Sequence, residues 1–286
     1  MFTNRRFTVL AFVLLVFFWG SSFPAIKIAL GYTPPVLFSG LRTLLCGLAV
    51  TTVAAIWGGK VNLRRNLPAL MLLALFNVVL FIGCQTLTIL YLPSGLAAVL
   101  IYLQPILVGF MAWLMLGEAL SPAKLIGLFL GFSGIVAVSV GSLFGTMPLL
   151  GVALGVATAL FWALGTVYFK RVQERVSTLW SVAGPFLIGG VFLTVLGLVL
   201  EPWSEISWTG TFIASWLYVS LAGTALAWVL WLGLVRAGEA SRVAAYVFFV
   251  PLTAVLMGVL FLGETLSSSL LVGAALVVSG IYLVNR

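Results

Sequence analysis

The chain has 286 residues, of which 63% are hydrophobic and only 7% are charged, and its mean hydropathy is +1.27. A soluble domain carries roughly 25% charged residues, so the composition excludes that class and indicates a membrane protein. His and Asp are absent, and Cys46 and Cys84 lie inside apolar runs. We therefore expect no enzyme, no metal ion and no bound cofactor.

Apolar runs of membrane-spanning length divide the chain into ten predicted helices. A spanning helix needs about 20 apolar residues, and short loops separate the runs. The fold class predicted is an all-α membrane protein with ten transmembrane helices. In chain order they cover residues 7–30, 34–57, 67–90, 94–116, 123–142, 148–170, 178–200, 210–234, 240–262 and 268–285.

Positive charge collects on one side of these ten helices. Twelve of the 14 cations follow the even-numbered helices or flank the two termini, and the opposite loops contain none. By the positive-inside rule both termini are cytoplasmic. Because topology accounts for the formal charge of +8, no nucleic-acid partner is expected.

The first two helices carry the only cations that fall inside apolar runs. Trp19 lies roughly 18–21 Å into helix 1, near the middle of a membrane, where its indole N–H requires a partner. Pro24 follows in the same run and frees a backbone carbonyl. Lys27 and Arg42 are charge candidates. Arg42 either extends toward the membrane surface or stabilises a substrate carboxylate or a helix end. Lys27 lies close to the outer end of helix 1 and is expected to extend toward the surface, or to supply charge to an anionic substrate.

Helices 3 and 4 supply polar side chains in the middle of apolar runs. Asn77 and Gln85 are costly in hydrocarbon unless satisfied, so we expect them to face the protein interior, either joining helices or contacting a substrate. Tyr102 and Gln104 precede Pro105, which interrupts helix 4. The interruption is either a packing kink or part of a binding site.

The second half of the chain offers equivalent positions. Trp162 in helix 6 and Trp228 in helix 8 lie deep in their runs, and Tyr246 and Phe248 precede Pro251 in helix 9. These aromatic residues join the predicted substrate-binding set, with Pro24, Pro105 and Pro251 as candidate kink or gating positions. The set is Trp19, Asn77, Gln85, Tyr102, Gln104, Trp162, Trp228, Tyr246 and Phe248.

The chain is also a repeat of itself. Gly117-Glu118 returns as Gly263-Glu264, 146 positions later, and Phe18-Trp19 returns as Phe161-Trp162, 143 positions later. The predicted domains are residues 1–143 and 148–286. If each half crosses the bilayer five times, the second half is inverted relative to the first, which is a recurrent architecture of secondary transporters.

Several stretches of the sequence resemble EamA-type members of the drug/metabolite transporter superfamily. They are residues 18–27 (FWGSSFPAIK), 104–122, 223–227 and 251–267, and the doubled Leu-Gly-Glu element is the most specific. The resemblance implies two inverted five-helix halves around a central cavity lined from helices 1, 3, 4, 6, 8 and 9. It also implies export of amino acids and other small metabolites from the bacterial cytoplasm.

The function predicted is therefore a secondary transporter of the bacterial inner membrane that exports small metabolites, most of all amino acids, by alternating access. All six acids lie in or beside loops, so no proton carrier is expected at the midplane. The partners expected are a small-molecule substrate and membrane lipid, in a monomer or homodimer. The alternatives are a carrier of nucleotide sugars or other anionic metabolites and a non-transporting membrane scaffold.

Overall fold

The computed structural model describes residues 5–92, 94–139, 148–253, 257 and 268–286, and the regular structure of these residues is entirely helical. Glu264 and the junction between the halves lie outside the described residues. Numbered in chain order, the helices are α1 (Arg5–Ala29), α2 (Pro35–Trp57), α3 (Leu63–Ala74, Leu75–Leu80 and Phe81–Tyr91), α4 (Ser94–Ile101 and Gln104–Leu116), α5 (Pro122–Ser139), α6 (Leu149–Val172), α7 (Thr178–Leu200), α8 (Gly210–Tyr218, Val219–Leu226 and Ala227–Ala237), α9 (Ala240–Thr253) and α10 (Ser268–Asn285).

Most of these helices have the length and composition of membrane spans. Within the described residues seven are long and apolar enough to cross a membrane, and three shorter apolar helices belong to α5, α9 and α10. Large apolar side chains such as Ile56, Leu149 and Val199 are exposed on the outer faces, where a soluble protein would place polar groups. The chain is a multi-pass membrane protein.

Two helices are interrupted close to a proline. The predicted single helix over 94–116 is divided at Tyr102–Leu103, just before Pro105, because proline cannot donate the backbone hydrogen bond that would continue the helix. In α9, residues Tyr246–Phe248 form a 3₁₀ turn ahead of Pro251. Tyr102 and Phe248 are 146 positions apart, so the two interruptions occupy equivalent places in the repeat. Pro24, by contrast, lies inside a continuous α1.

Helices α3 and α8 each contain a π-helical segment, over Leu75–Leu80 and Val219–Leu226. The side chain of Asn77 in the first segment lies directly against Gly165 of α6, and Gly223 in the second lies directly against the Ser22 side chain of α1. The sequence repeat pairs Ser22 with Gly165 and Asn77 with Gly223. The two close contacts are therefore equivalent, with the roles of the halves exchanged.

The closest helix pairing joins α2 and α7, which run antiparallel. A Cβ added at Gly47 would lie 2.5 Å from the backbone nitrogen of Leu187, and one at Gly190 would lie 2.5 Å from that of Leu44. Later residues of α2 contact earlier residues of α7, which shows that the two helices are antiparallel. Gly47 and Leu44 are each 143 positions from their counterparts Gly190 and Leu187, so this contact is also exchanged between the halves.

The pairing of α5 with α10 follows the same pattern. A Cβ at Gly127 would meet the carbonyl oxygen of Gly280 at 2.6 Å, and one at Gly134 would meet that of Gly273 at 2.7 Å. These two helices are also antiparallel, and glycine at the crossing lets the backbones approach closely, as is common in membrane helices.

A carboxylate from the other half caps the start of α2. Pro34 offers no capping side chain, and Glu201 at the end of α7 accepts hydrogen bonds from the N–H of Val36 at 3.0 Å and of Leu37 at 2.7 Å. A negative charge at a helix N-terminus accepts hydrogen bonds from N–H groups that have no partner within the helix, and it interacts favourably with the helix dipole. The contact joins the two halves at one end of the bundle.

Candidate functional site

A small cavity of about 30 Å³ lies in the middle of the bundle, between helices of both halves. At roughly 10–15 Å³ for each water, this volume is enough for about two water molecules. Its lining residues come from α1, α2, α3, α4, α6 and α8. They are Trp19, Ser22, Phe23, Ile26, Arg42, Phe81, Ile82, Gln85, Tyr102, Trp162, Val219, Gly223, Thr224 and Trp228.

An aromatic cluster forms one wall of this cavity. The rings of Trp19 and Trp162 pack edge to face with centroids 5.2 Å apart, and these two residues are counterparts in the repeat. Phe81 lies 5.1 Å from Trp162 and 5.7 Å from Trp228, and Tyr102 lies 6.1 Å from Trp162. Because Trp19 belongs to the first half of the chain and Trp162 to the second, this wall lies where the two halves meet.

The Arg42 guanidinium brings a positive charge to the cavity lining. Only 2% of Arg42 is exposed, and its Nη2 donates to Gln85 Oε1 at 3.0 Å and to Thr86 Oγ1 at 3.2 Å. Its Nε is buried without a partner. None of the ion pairs among the described residues involves it. Arg42 therefore carries a buried positive charge that no described carboxylate neutralises.

Two further donors in this cluster lack partners. The indole Nε1 atoms of Trp162 and Trp231 are buried without a hydrogen-bond partner, and Trp231 packs 5.6 Å from Trp19. Indole and guanidinium groups donate hydrogen bonds and accept none. Since an unmatched buried donor is costly, the cluster is suited to a ligand that supplies negative charge and acceptor atoms against an aromatic surface.

The structure brings six of the sequence-predicted residues to the cavity, namely Trp19, Arg42, Gln85, Tyr102, Trp162 and Trp228. The others occupy different places. Gln104 is fully buried with both amide atoms unpartnered in the described structure, and Tyr246 packs on Phe12 with ring centroids 4.2 Å apart. Phe248 packs against Gly131.

The remaining predicted positions also lie away from the cavity lining. Asn77 packs against α6, as described above, and Lys27 and Pro24 are exposed on α1. Pro105 and Pro251 are buried next to the helix interruptions.

Sequence reasoning missed eight of the lining residues. Three of them, Ser22, Phe23 and Ile26, follow Trp19 at spacings of three, four and seven, which is the period of one helix face, so this signal could have found them. Phe81 and Ile82 precede Gln85 by one turn in the same way. The π-helical segment displaces the lining residues of α8, Val219, Gly223 and Thr224, from a regular helical period.

Comparison with known families identifies the class of protein. The EamA-like transporter family matches residues 6–140 and, a second time, residues 149–286. The chain belongs to the EamA-like transporter family. It is thus a membrane transporter of the drug/metabolite transporter superfamily, and transport, rather than an enzymatic reaction, is its activity.

Relatives of this EamA-like transporter cover nearly all of its length. It is 43% identical over 278 residues to the uncharacterized transporter YvbV of Bacillus subtilis, covering 97% of this chain and 91% of the relative. It is 28% identical to a probable amino-acid metabolite efflux pump of Salmonella typhimurium, covering 95% and 92%. A solved structure titled "Crystal structure of protein" has the same fold, with a TM-score of 0.83 at 23% identity, covering 98% and 96%.

Proposed function

We propose that this transporter exports small carboxylate-bearing metabolites, most of all amino acids, across the bacterial inner membrane. The observation that carries the proposal is the buried, unneutralised guanidinium of Arg42 in an aromatic cavity. A substrate carboxylate would neutralise the guanidinium, and an ammonium group or apolar side chain would lie against the faces of Trp19 and Trp228.

The architecture proposed is ten spans in two inverted halves, residues 1–143 and 148–286. The antiparallel pairing of α2 with α7 and of α5 with α10 supports it. A two-fold axis in the membrane plane turns each helix into an antiparallel counterpart. The exchanged contacts of Gly47 and Gly190 are what such an axis produces.

The orientation proposed places both termini in the cytoplasm. Arg171 donates to the Met115 carbonyl at 2.8 Å, and Arg236 donates to the Val176 carbonyl at 3.0 Å, so these cations meet at one end of the bundle. This is the end that the positive-inside rule assigns to the cytoplasm. Membrane lipid surrounds the apolar outer faces, in a monomer or a homodimer.

The mechanism proposed is alternating access without an obligatory proton. The cavity of about 30 Å³ is too small for an amino acid in this conformation, so the halves must move to admit one. No described glutamate lines the cavity, and a carboxylate at the midplane is what proton coupling would use. We therefore expect flux that follows the substrate gradient.

Proteoliposomes loaded with labelled amino acids test this function. We expect efflux of at least one amino acid down its gradient, without an imposed pH gradient, and none from protein-free liposomes. Lys27→Gln is the control variant, because Lys27 is an intramembrane cation that lies away from the cavity. Loss of the Lys27 charge should leave the flux unchanged. Absence of flux with every amino acid would contradict the proposed substrate class. Flux that requires a pH gradient would contradict the proposed uncoupled mechanism.

The second candidate is a carrier of nucleotide sugars or other anionic metabolites. The unneutralised Arg42 charge favours it as well, together with the unpartnered donors of Trp162 and Trp231. Competition separates the two candidates. An amino-acid exporter is inhibited by zwitterionic amino acids, whereas an anion carrier is inhibited by phosphate-bearing metabolites and not by zwitterions.

A further inference from the structure

The cavity is separated from the cytoplasmic end of the bundle by a packed layer. Trp162, Thr166 and Lys170 succeed one another at intervals of four residues on one face of α6. Trp162 lines the cavity, and Lys170 lines a separate, wider opening of about 470 Å³ at the end of the helix. Thr166 between them is fully buried. About 12 Å of helix therefore separates the two spaces.

A carboxylate from the first half binds the second half at this end of the bundle. Helix α9 starts without a side-chain cap of its own. Glu118, which follows α4, accepts hydrogen bonds from the N–H of Ala240 at 2.6 Å and from that of Ser241 at 3.1 Å. The Ser241 hydroxyl also donates to this carboxylate. Glu118 thus supplies the cap of a helix in the opposite half.

An ion pair strengthens the same junction. Lys124 at the start of α5 donates from Nζ to Glu239 Oε2 at 3.0 Å and to Ser241 Oγ at 2.9 Å, and only 4% of Lys124 is exposed. Burial alone raises the pKa of Glu239, but the hydrogen bonds and charges of Lys124 and Arg242 outweigh it and hold that pKa below its ordinary value. The carboxylate is therefore charged, and the pair persists, at neutral pH.

An interruption in the regular helix follows the first turns of α9. The 3₁₀ turn over Tyr246–Phe248 interrupts the regular hydrogen bonding, and Pro251 further removes a backbone donor. Movement at an interruption of this kind leaves the packed remainder of the helix in place. The segment that Glu118 and Lys124 contact lies on the N-terminal side of this interruption.

We infer that Glu118, assisted by Lys124, is the latch of a cytoplasmic gate, and that its release from Ala240 and Ser241 opens the cavity to the cytoplasm. The inference rests on the proposed alternating access. The ion pair has no charged equivalent in the repeat, because the counterparts of Lys124 and Glu239 are Leu270 and Pro93. This asymmetry favours the conformation closed to the cytoplasm, which is the one observed.

Thiol labelling at Thr166 tests the latch. The reporter is Thr166→Cys in a chain with Cys46→Ala and Cys84→Ala, in inside-out vesicles exposed to a membrane-impermeant maleimide. We expect slow labelling with Glu118 present and labelling about tenfold faster with Glu118→Ala, since charge-assisted hydrogen bonds then no longer favour the closed state. Lys124→Met should raise the rate by a smaller factor and provides a second variant if Glu118→Ala does not fold.

Glu201→Ala is the control, because it removes a similar interhelical carboxylate cap, that of α2, at the opposite end of the bundle. It should not accelerate labelling. The latch is refuted if folded Glu118→Ala and Lys124→Met label at the parent rate, or if Glu201→Ala accelerates labelling as much as Glu118→Ala does. Amino-acid flux by the unchanged chain is measured separately, so failure of the latch is distinguishable from failure of the proposed transport function.

Discussion

Replacement of Arg42 by glutamine is expected to weaken substrate binding strongly without lowering the melting temperature. Arg42 is buried, its Nε has no partner, and no described carboxylate neutralises it. An uncompensated charge is costly to bury, so its removal offsets the loss of the hydrogen bonds to Gln85 and Thr86. Substrate binding should therefore weaken while the melting temperature is maintained.

The expected loss of binding is about 2–5 kcal/mol, as for removal of one partner from a buried charge pair. It is measured by isothermal titration of purified protein with the amino acid that the flux assay identifies. Arg42→Lys keeps the charge but loses the planar donor fork, so it should bind with intermediate affinity. Normal binding by Arg42→Gln would remove Arg42 from the site, and a collapse in melting temperature would assign it a structural role.

Substitution of Gly190 by alanine is expected to destabilise the protein strongly. The added Cβ would lie 2.5 Å from the backbone nitrogen of Leu44 and 2.7 Å from its Cα. Backbone atoms within a helix cannot move aside as a flexible side chain can, so α2 and α7 must separate along their contact. We expect a loss of about 3 kcal/mol, the upper part of the range for overpacked cores, read as a lower melting temperature in detergent.

Gly83→Ala is the control for this substitution. Its Cβ would meet nothing nearer than 3.7 Å, at a Leu193 methyl group, so the melting temperature should stay unchanged or rise slightly, because alanine favours helix over glycine. Gly47→Ala should cause a similar loss of stability, because Gly47 makes the equivalent close contact from the first half of the chain. Equal stability of Gly190→Ala and Gly83→Ala would show that α2 and α7 are not held in this contact.

The sequence carries enough information to predict an all-helical membrane protein and several residues that line the cavity. Apolar runs locate the spans because lipid requires every backbone group to be bonded within its helix. Trp19 and Trp162 are predicted together because an indole N–H deep in a membrane is unusual and the repeat places one in each half. Arg42 and Gln85 are predicted for the same reason, as polar groups in hydrocarbon.

The rotation of each helix about its axis is not predictable in the same way. Gln104, Tyr246 and Phe248 are polar or aromatic residues beside a proline, yet they lie away from the cavity lining because neighbouring helices determine which face points inward. The π-helical segments over Leu75–Leu80 and Val219–Leu226 have no local sequence signal. They coincide with the close contacts of Asn77 with Gly165 and of Gly223 with Ser22, which exist only in the assembled bundle.

Labelling of two equivalent positions tests the inverted architecture most directly. Ala119→Cys and Thr265→Cys are repeat counterparts, 146 positions apart, placed singly in the chain with Cys46→Ala and Cys84→Ala. Lys60→Cys and Glu205→Cys mark the cytoplasmic and outer faces. An impermeant maleimide should label Ala119→Cys only from the face that labels Lys60→Cys, and Thr265→Cys only from the face that labels Glu205→Cys. Labelling of Ala119→Cys and Thr265→Cys from the same face would contradict the inverted architecture.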